Sequence, residues 1–494
     1  MNLSLAQQLT PIFWIATAGF LGWGLYRARN RGKVATWIWL QTLMLILPWV
    51  IFLGLLTFSV VINLAGLILL LLVFTVIYIV LGQKVRQLKA QEWESNRSHQ
   101  SPEITADQKS EQMDAPTLDP NSVYTGMDLD DFKAVTRIFS LDSFFVTETI
   151  PYNEGVIFKG NLRSDPAEAL AHLNERLTAA LGDRYQLFLL EDQQQRPTVV
   201  VLPRATTDQK TRPEAKFFAG ILAIASMLTT LEIGANLWGF SLFNTPSRWL
   251  QALPFVLGVI GILLLHELGH RWMADRYGVK LSPPFFIPSV GIGTLGTLNR
   301  LETPTPTRKA LFDIAIAGPV VSGLLSLAIL LLGLWLSPTQ GSIPLSSNFF
   351  QSSILVGTLT HTFLDDQLLS GVVLVHPLVA VGWISLAITA LSLLPAGQLD
   401  GGRIVQAVYG RKTAARTTFV TLIVLGIGAI TNPLALYWAL LILFIAREPE
   451  RPPMNEISET DEGRDALALL SLFFMALTLL PVPPGLAKVL HLLQ

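Results

Sequence analysis

Hydrophobic and polar positions divide the chain into long blocks. Between Lys33 and Lys84 there is no Lys, Arg, Asp or Glu, which leaves room for two spans of about 20 residues each. With the apolar run 12–26 ahead of it, the pattern predicts spans at roughly 8–27, 35–57 and 59–82. A polar stretch over 91–122 follows, poor in apolar residues and without a period, and reads as a disordered linker. The next block alternates more finely. Helical spacing covers 129–139, and strands are expected over 144–150 and 155–158, around a turn at Asn153-Glu154-Gly155. Asp165-Pro166 opens a helix running to Ala180, and 185–190 with 198–202 reads as a closing hairpin. This block has no Gly-rich phosphate loop and no clustered His, so it is expected to be a regulatory or interaction module.

Beyond 209 the apolar pattern returns. It predicts spans at 217–239, 249–273, 311–336 and 372–394, a tight hairpin of spans at 416–431 and 433–446, and a last span at 465–482. A shorter helical piece covers 399–409. The expected fold is therefore mainly α, a polytopic membrane protein of about ten transmembrane segments with a small α/β soluble domain inserted after the third span. The expected divisions are 1–90 (three N-terminal transmembrane helices), 91–122 (linker) and 123–208 (soluble domain). A membrane core at 209–446 and a C-terminal loop with the last transmembrane helix at 447–494 complete them.

Composition agrees with the pattern. Hydrophobic residues make up 51% of the 494 and charged residues only 14%, against roughly 25% charged in soluble proteins. The net charge of -1, without any Lys/Arg-rich run, argues against a nucleic-acid partner. There is no cysteine, so any transition metal must be held by His and carboxylate. The first basic cluster (Arg27, Arg29, Arg31, Lys33) follows the first apolar run instead of preceding it, so a retained first span is expected rather than a signal peptide. With the N-terminus outside, nearly all basic loops fall on the cytosolic or stromal side; only Arg248 and Lys488 do not. The loop 337–370, without Lys or Arg, is expected outside.

The chemistry sits at the end of one span. His266-Glu267-Leu268-Gly269-His270 is an H-E-x-x-H sequence. Residues i and i+4 share a helix face, so both imidazoles can reach one tetrahedral Zn²⁺, and Glu267 beside them can take a proton from water. A catalytic site needs a third protein ligand. The other His residues, at 99, 172, 361, 376 and 491, are poorly placed for it. Glu302 follows the helix in a Pro-broken loop. Asp400, in Leu399-Asp400-Gly401-Gly402-Arg403, lies at the same end of a neighbouring span and is the better candidate.

The pairing of H-E-L-G-H with L-P-A-G-Q-L-D-G-G-R resembles the site-2 protease family of intramembrane zinc metalloproteases. With Arg308-Lys309 to Ala317-Gly318-Pro319 and the soluble domain, the chain is similar to its plastid and cyanobacterial branch, the ethylene-dependent gravitropism-deficient and yellow-green type. The resemblance implies that His266, His270 and Asp400 bind one zinc per chain and that Glu267 is the catalytic base. It makes 209–446 an intramembrane metalloprotease core, and it implies a membrane-protein substrate with a transmembrane segment, cut in or near that segment in a lipid setting. Ser392 stands where the family pattern N-x-x-P-x-x-x-L-D-G has Asn, which bears on efficiency or substrate choice. The broken apolar stretch 283–296 is expected as a re-entrant hairpin beside the metal. Its Gly291 and Gly293, with Ser392, are candidate substrate-binding residues. Gly318 to Gly323 reads as ordinary small-residue packing. The alternative reading is a metal-binding membrane protein or transporter without peptidase activity.

Overall fold

The computed structural model describes residues 127–483 apart from 141, 153, 193–195 and 431, and scattered positions between 22 and 85. The chain divides into two compact units, Met1–Pro120 with Gly428–Asn432, and Asn121–Ile427 with Pro433–Gln494. In the first, isolated helical positions such as 39–44 are described. Most of the three expected spans at 8–27, 35–57 and 59–82, the linker 91–122 and the tail beyond 483 lie outside the described residues.

The second unit begins with a small α/β layer. Helix α1 (Leu129–Thr136) and helix α2 (Pro166–Leu181) cover a four-stranded antiparallel sheet of β1 (Phe144–Tyr152), β2 (Gly155–Leu162), β3 (Tyr185–Glu191) and β4 (Pro197–Pro203), in the order β1-β2-β4-β3. Asp165 caps α2 by accepting from the amides of Ala167 at 2.8 Å and Glu168 at 3.4 Å, with Pro166 in the first turn where its missing N–H costs nothing. Leu173 and Leu177, one turn apart, meet Val199 and Val201 from the sheet in a fully buried core. Asp131 ties α1 to the start of β3. It accepts a fork of bonds from Arg184 (2.8 and 2.6 Å) and one from the Tyr185 hydroxyl (2.8 Å).

The order leaves β3 at an edge, and the chain covers that edge itself. A strap over 447–461 crosses it. Leu189 N donates to Met454 O at 2.7 Å and Glu456 N to Leu189 O at 3.0 Å, a parallel pairing that satisfies edge groups otherwise open to other strands. On its other side the strap pairs with 305–307, through Met454 N to Thr305 O (2.8 Å) and Asn455 N to Pro306 O (3.0 Å).

The apolar part is built on helices α3 (Pro213–Leu237), α4 (Trp249–Arg276) and α5 (Arg308–Gln340). Among the described residues, these three are long and apolar enough to cross a membrane, α4 taken with its lead-in from Pro246. At 1.5 Å per residue, the 28 residues of α4 reach about 40 Å, more than the ~30 Å hydrocarbon core. Between α4 and α5 lies a hairpin of β5 (Phe285–Ser289) and β6 (Gly293–Leu298). The register shifts between Phe286 and Pro288, where a residue without N–H is tolerated. After α5 come β7 (Ile343–Ser346), α6 (Ile354–Leu368), β8 (Val372–Val375), α7 (Pro377–Ser392), α8 (Asp400–Gly428), α9 (Pro433–Ile445) and α10 (Glu462–Leu479).

Three expectations change. The apolar run 372–394 is not one helix. Its start, Val372-Val373-Leu374-Val375, alternates exposed and buried positions and pairs with β7, and the helix begins only at Pro377, where the His376 ring accepts from Leu378 N. The loop 337–370 carries β7 and α6 instead of being plain loop. Most of the two pieces expected at 399–409 and 416–431 is joined in α8, which ends at Gly428 and is broken only at Gly410, whose φ of 82° lies in the left-handed region that glycine tolerates.

Tyr185 gives a test of the α1–β3 contact. Burial, and then its bond to the Asp131 carboxylate, push its hydroxyl up from 10.0 to about 12. The folded state thus favours the neutral phenol, and this stabilisation is present below pH 10 and lost as pH rises from about 10 to about 12. Tyr185→Phe is expected to remove one late-titrating group from the tyrosinate absorbance curve between pH 10 and 12. Loss of a group titrating near 10 would contradict the contact.

Candidate active site

Helix α4 carries His266 and His270 one turn apart on its inner face, where both are buried together with Glu267. Helix α5 orients both rings. The His270 Nδ1 lies 2.7 Å from the Ile314 carbonyl. A carbonyl can only accept, so Nδ1 carries the proton and Nε2 keeps its lone pair. The His266 Nδ1 lies 2.9 Å from the Ser322 hydroxyl, which in turn is 2.9 Å from Thr389 Oγ1 of α7. Thr389 donates to Ser385 O at 2.9 Å. Ser322 Oγ also donates to Gly318 O at 3.2 Å; with its proton so placed it accepts from His266 Nδ1–H, which again leaves the Nε2 lone pair free.

The two Nε2 atoms face each other at 3.0 Å, and Asp400 closes the group. Its carboxylate oxygens lie 3.4 Å from His266 Nε2 and 3.4 Å from His270 Nε2. One ligand atom from each of the three residues lies within 4.8 Å of the others, and among the described residues no other group of three His, Asp or Glu meets in this way. Two imidazole lone pairs and a carboxylate converging in a buried place are mutually repulsive without a cation and form a fitting donor set for Zn²⁺ with it. Anchoring of the far ring nitrogens is the arrangement that holds such ligands in place.

Small residues make the convergence possible. A Cβ on Gly269 would come 2.9 Å from Ala317 O, and one on Gly318 would come 2.6 Å from Cδ2 of His270. Asp400 is brought in by a tight turn between α7 and α8. Gly397 takes φ 48° there, and a Cβ on Gly401 or Gly402 would overlap the carbonyls of Leu394 (2.6 Å) and Ala396 (2.5 Å), respectively. The turn is fastened by Gly397 N to Thr418 Oγ1 (2.8 Å) and Gln398 N to Ala446 O (3.1 Å).

Glu267, next to His266 on α4, is not one of the three converging donors. Its carboxylate accepts from Arg271 Nε at 3.1 Å and from Asn299 Nδ2 at 3.1 Å. Glu302, the other candidate third ligand, instead accepts from Thr211 N at 3.0 Å. Ser392 ends α7, donates to Thr389 O at 2.9 Å, and lines a small cavity with His266, Thr389, Gly296 and Thr297. Gly291 is exposed at the turn of the β5–β6 hairpin, and Gly293, at φ 89°, packs its backbone on Thr230 of α3. The hairpin residues lining this cavity are Gly296 and Thr297 of β6. Sequence reasoning also missed Ser322, Thr389 and Asn299. The first two could have been noticed as polar residues inside apolar helices; Asn299 belongs to no pattern.

Gly318 and Gly323 separate a specific requirement from general packing. A Cβ on Gly323 would meet Thr389 Cγ2 at 3.7 Å and Phe474 Cε1 at 3.9 Å, both ordinary contacts. Gly318→Ala is therefore expected to displace the His270 ring and reduce bound zinc at least tenfold in metal analysis of purified protein, while Gly323→Ala keeps it. Equal zinc in both variants would contradict the placement of His270 against α5.

Comparison with known proteins follows the same lines. Residues 254–431 match Peptidase family M50, and residues 133–210 match the EGY3 middle domain. The chain is 35% identical over 354 residues to the probable zinc metalloprotease EGY2, chloroplastic, of Arabidopsis thaliana, which covers 70% of this chain and 64% of that relative. It is 31% identical over 426 residues to the probable zinc metalloprotease EGY1, chloroplastic, of the same plant, covering 75% of this chain and 77% of that one. The probable zinc metalloprotease EGY1, chloroplastic, of Oryza sativa subsp. japonica is 33% identical over 401 residues, 73% of this chain and 69% of the relative. The chain thus spans somewhat less than two thirds of the length of the EGY2 relative. No solved structure matches. With two paired motifs on one buried cluster, and relatives of this extent, the chain belongs with the EGY proteins to peptidase family M50, the site-2 protease family.

Proposed function

We propose that this protein is a membrane zinc metalloendopeptidase that hydrolyses peptide bonds within or near transmembrane segments of other membrane proteins. The observation that carries the reading is the convergence of His266 Nε2, His270 Nε2 and the Asp400 carboxylate within 4.8 Å, beside a buried Glu267, on helices apolar enough for a membrane. His266, His270 and Asp400 would hold one zinc per chain. When bound, zinc supplies Lewis acidity toward the scissile carbonyl and toward water.

The residues of the chain do the rest. Ser322 and the Ile314 carbonyl keep both imidazoles in the tautomer that presents Nε2. Glu267 accepts the proton of the attacking water and returns it to the leaving amine, the ordinary cycle of a general base. Leu263 and Ile388, beside Ser392 and Thr297, give the cavity apolar walls that limit water. The β5–β6 hairpin can hold a substrate segment extended by strand addition, which a helix must accept before its backbone is open to attack. Ser392, Gly291 and Gly293 are assigned to the substrate side. The division into 1–90, 91–122, 123–208, 209–446 and 447–494, with about ten transmembrane segments and the active site toward the cytosolic or stromal face, belongs to the same proposal.

Glu267→Gln keeps shape and most hydrogen bonding but cannot accept a proton. It is expected to bind zinc as wild type does and to cleave a model transmembrane substrate at least a hundredfold more slowly, within the roughly 10²–10⁴-fold contribution of a general base. Equal cleavage by both forms would remove Glu267 as the base. Metal flux without cleavage in either form would favour a transporter.

Sidedness is tested by labelling. A cysteine placed at Ser346, exposed at the end of β7, should react with an impermeant thiol reagent from outside. One placed at Ser95 should react only after the membrane is opened. The opposite order would put the active site on the other face.

A further inference from the structure

Arginine offers five donors and no acceptor, so whatever it binds is forced to present oxygen. Arg403, only 1% exposed, lies one turn after Asp400. It donates to both oxygens of Asn299, NH1 to Oδ1 and NH2 to the backbone carbonyl, each at 2.7 Å. With Oδ1 committed, the Asn299 amide can offer only its NH₂ elsewhere, and Nδ2 donates to Glu267 Oε2 at 3.1 Å. A flipped amide would set N–H against guanidinium and oxygen against carboxylate, two repulsive contacts in a buried place. Arg403 is itself held. Its Nε and NH2 both lie 3.1 Å from Glu450 Oε2, and Gln406 Nε2 donates to the Glu450 carbonyl at 2.9 Å.

Glu267 has one other partner, Arg271, whose side chain is 41% exposed. Arg271 NH2 is itself tied to Ser282 O at 3.1 Å, yet a solvent-screened pair is the weaker of the two holds. Asn299 is 8% exposed and has no room to turn. The aim of the Glu267 carboxylate is therefore set from the Asn299 side. Glu450 reaches Arg403 on the strap 447–461, the segment that also pairs with β3 of the small α/β layer.

We propose that Asn299 is a positioning residue for Glu267, its amide aimed by an Arg403 that Glu450 of the strap locks in place. The proposal rests on the reading of Glu267 as the general base. Arg403 NH1 also lies 3.9 Å from Asp400 Oδ1, so zinc content is read beside kcat, whereas the Asn299 amide acts through the direction in which Glu267 points. Misplacing a reacting group by about 1 Å can cost on the order of 10²-fold in rate.

Asn299→Asp is the deciding variant. It keeps the size and gives Arg403 an oxygen partner, but replaces the donor facing Glu267 with an acceptor. In full-length protein, zinc content and KM for a model transmembrane substrate are expected to stay within about twofold of wild type, while kcat falls roughly ten- to a hundredfold. Asn299→Ala should show the same split where it accumulates. Should it misfold because Arg403 is left with unpaired donors, Asn299→Asp still decides. A kcat within twofold of wild type in Asn299→Asp, or a loss of activity matched by loss of zinc, overturns the proposal. Glu267→Gln assayed alongside separates the two claims. If Glu267→Gln cleaves at the wild-type rate, the base assignment fails and takes this proposal with it. If Glu267→Gln is inert beside fully active Asn299→Asp, only the positioning role is lost.

Discussion

The carbonyl of Ile314 can accept a hydrogen bond and cannot donate one, and the metal-binding geometry follows from that limit. By taking the Nδ1 proton of His270 it turns the Nε2 lone pair inward, and the Ser322–Thr389–Ser385 chain does the same for His266. Helix α5 is thus more than a neighbour of α4. It decides which nitrogens are free, and it does so in surroundings where an unpaired polar atom would be costly. The lone pairs so exposed need a cation, and Asp400 brings negative charge to the same place.

Holding three helices at this distance demands the smallest residues where they meet. Gly269 and Gly318 let α4 and α5 approach until the His270 ring lies against backbone. Gly397, Gly401 and Gly402 fold the turn that delivers Asp400. The polar layer next to the cluster, Glu267–Asn299–Arg403–Glu450, continues into the strap on β3. The two imidazoles are thereby held by α5 and the Glu267 carboxylate from the strap side, with Arg403 reaching both Asn299 and, at 3.9 Å, Asp400 Oδ1.

The sequence carried much of this. H-E-L-G-H names the two imidazoles that converge, because i, i+4 spacing on a helix is a local geometry and needs no tertiary knowledge, whereas Asp400 is named through the resemblance carried by L-D-G-G-R. The small α/β layer was readable for the same reason, since Asp165-Pro166 and the alternating strands are local signals. What escaped was relational. No local pattern says that Asn299, in a polar stretch after β6, meets an arginine more than a hundred residues away, or that Glu450 in a Pro-rich segment is buried. At 372–394 strand propensity prevailed over hydropathy, since the valines of Val372 to Val375 join a strand although the average over the window is that of a span. Gly318 read as packing because a glycine's role is visible only once the ring opposite it is known.

The central claim is that two imidazoles fixed by α5 and one carboxylate make a closed set of protein ligands around a single zinc. X-ray absorption at the zinc edge, on the purified full-length protein, tests it directly. The account predicts two imidazole nitrogens at about 2.0–2.1 Å with the remaining ligands oxygen at about 2.0–2.2 Å, and loss of the two-imidazole signature when His270 is replaced. A spectrum with three imidazoles, or with a single one, would mean that the cluster of His266, His270 and Asp400 is not the zinc site.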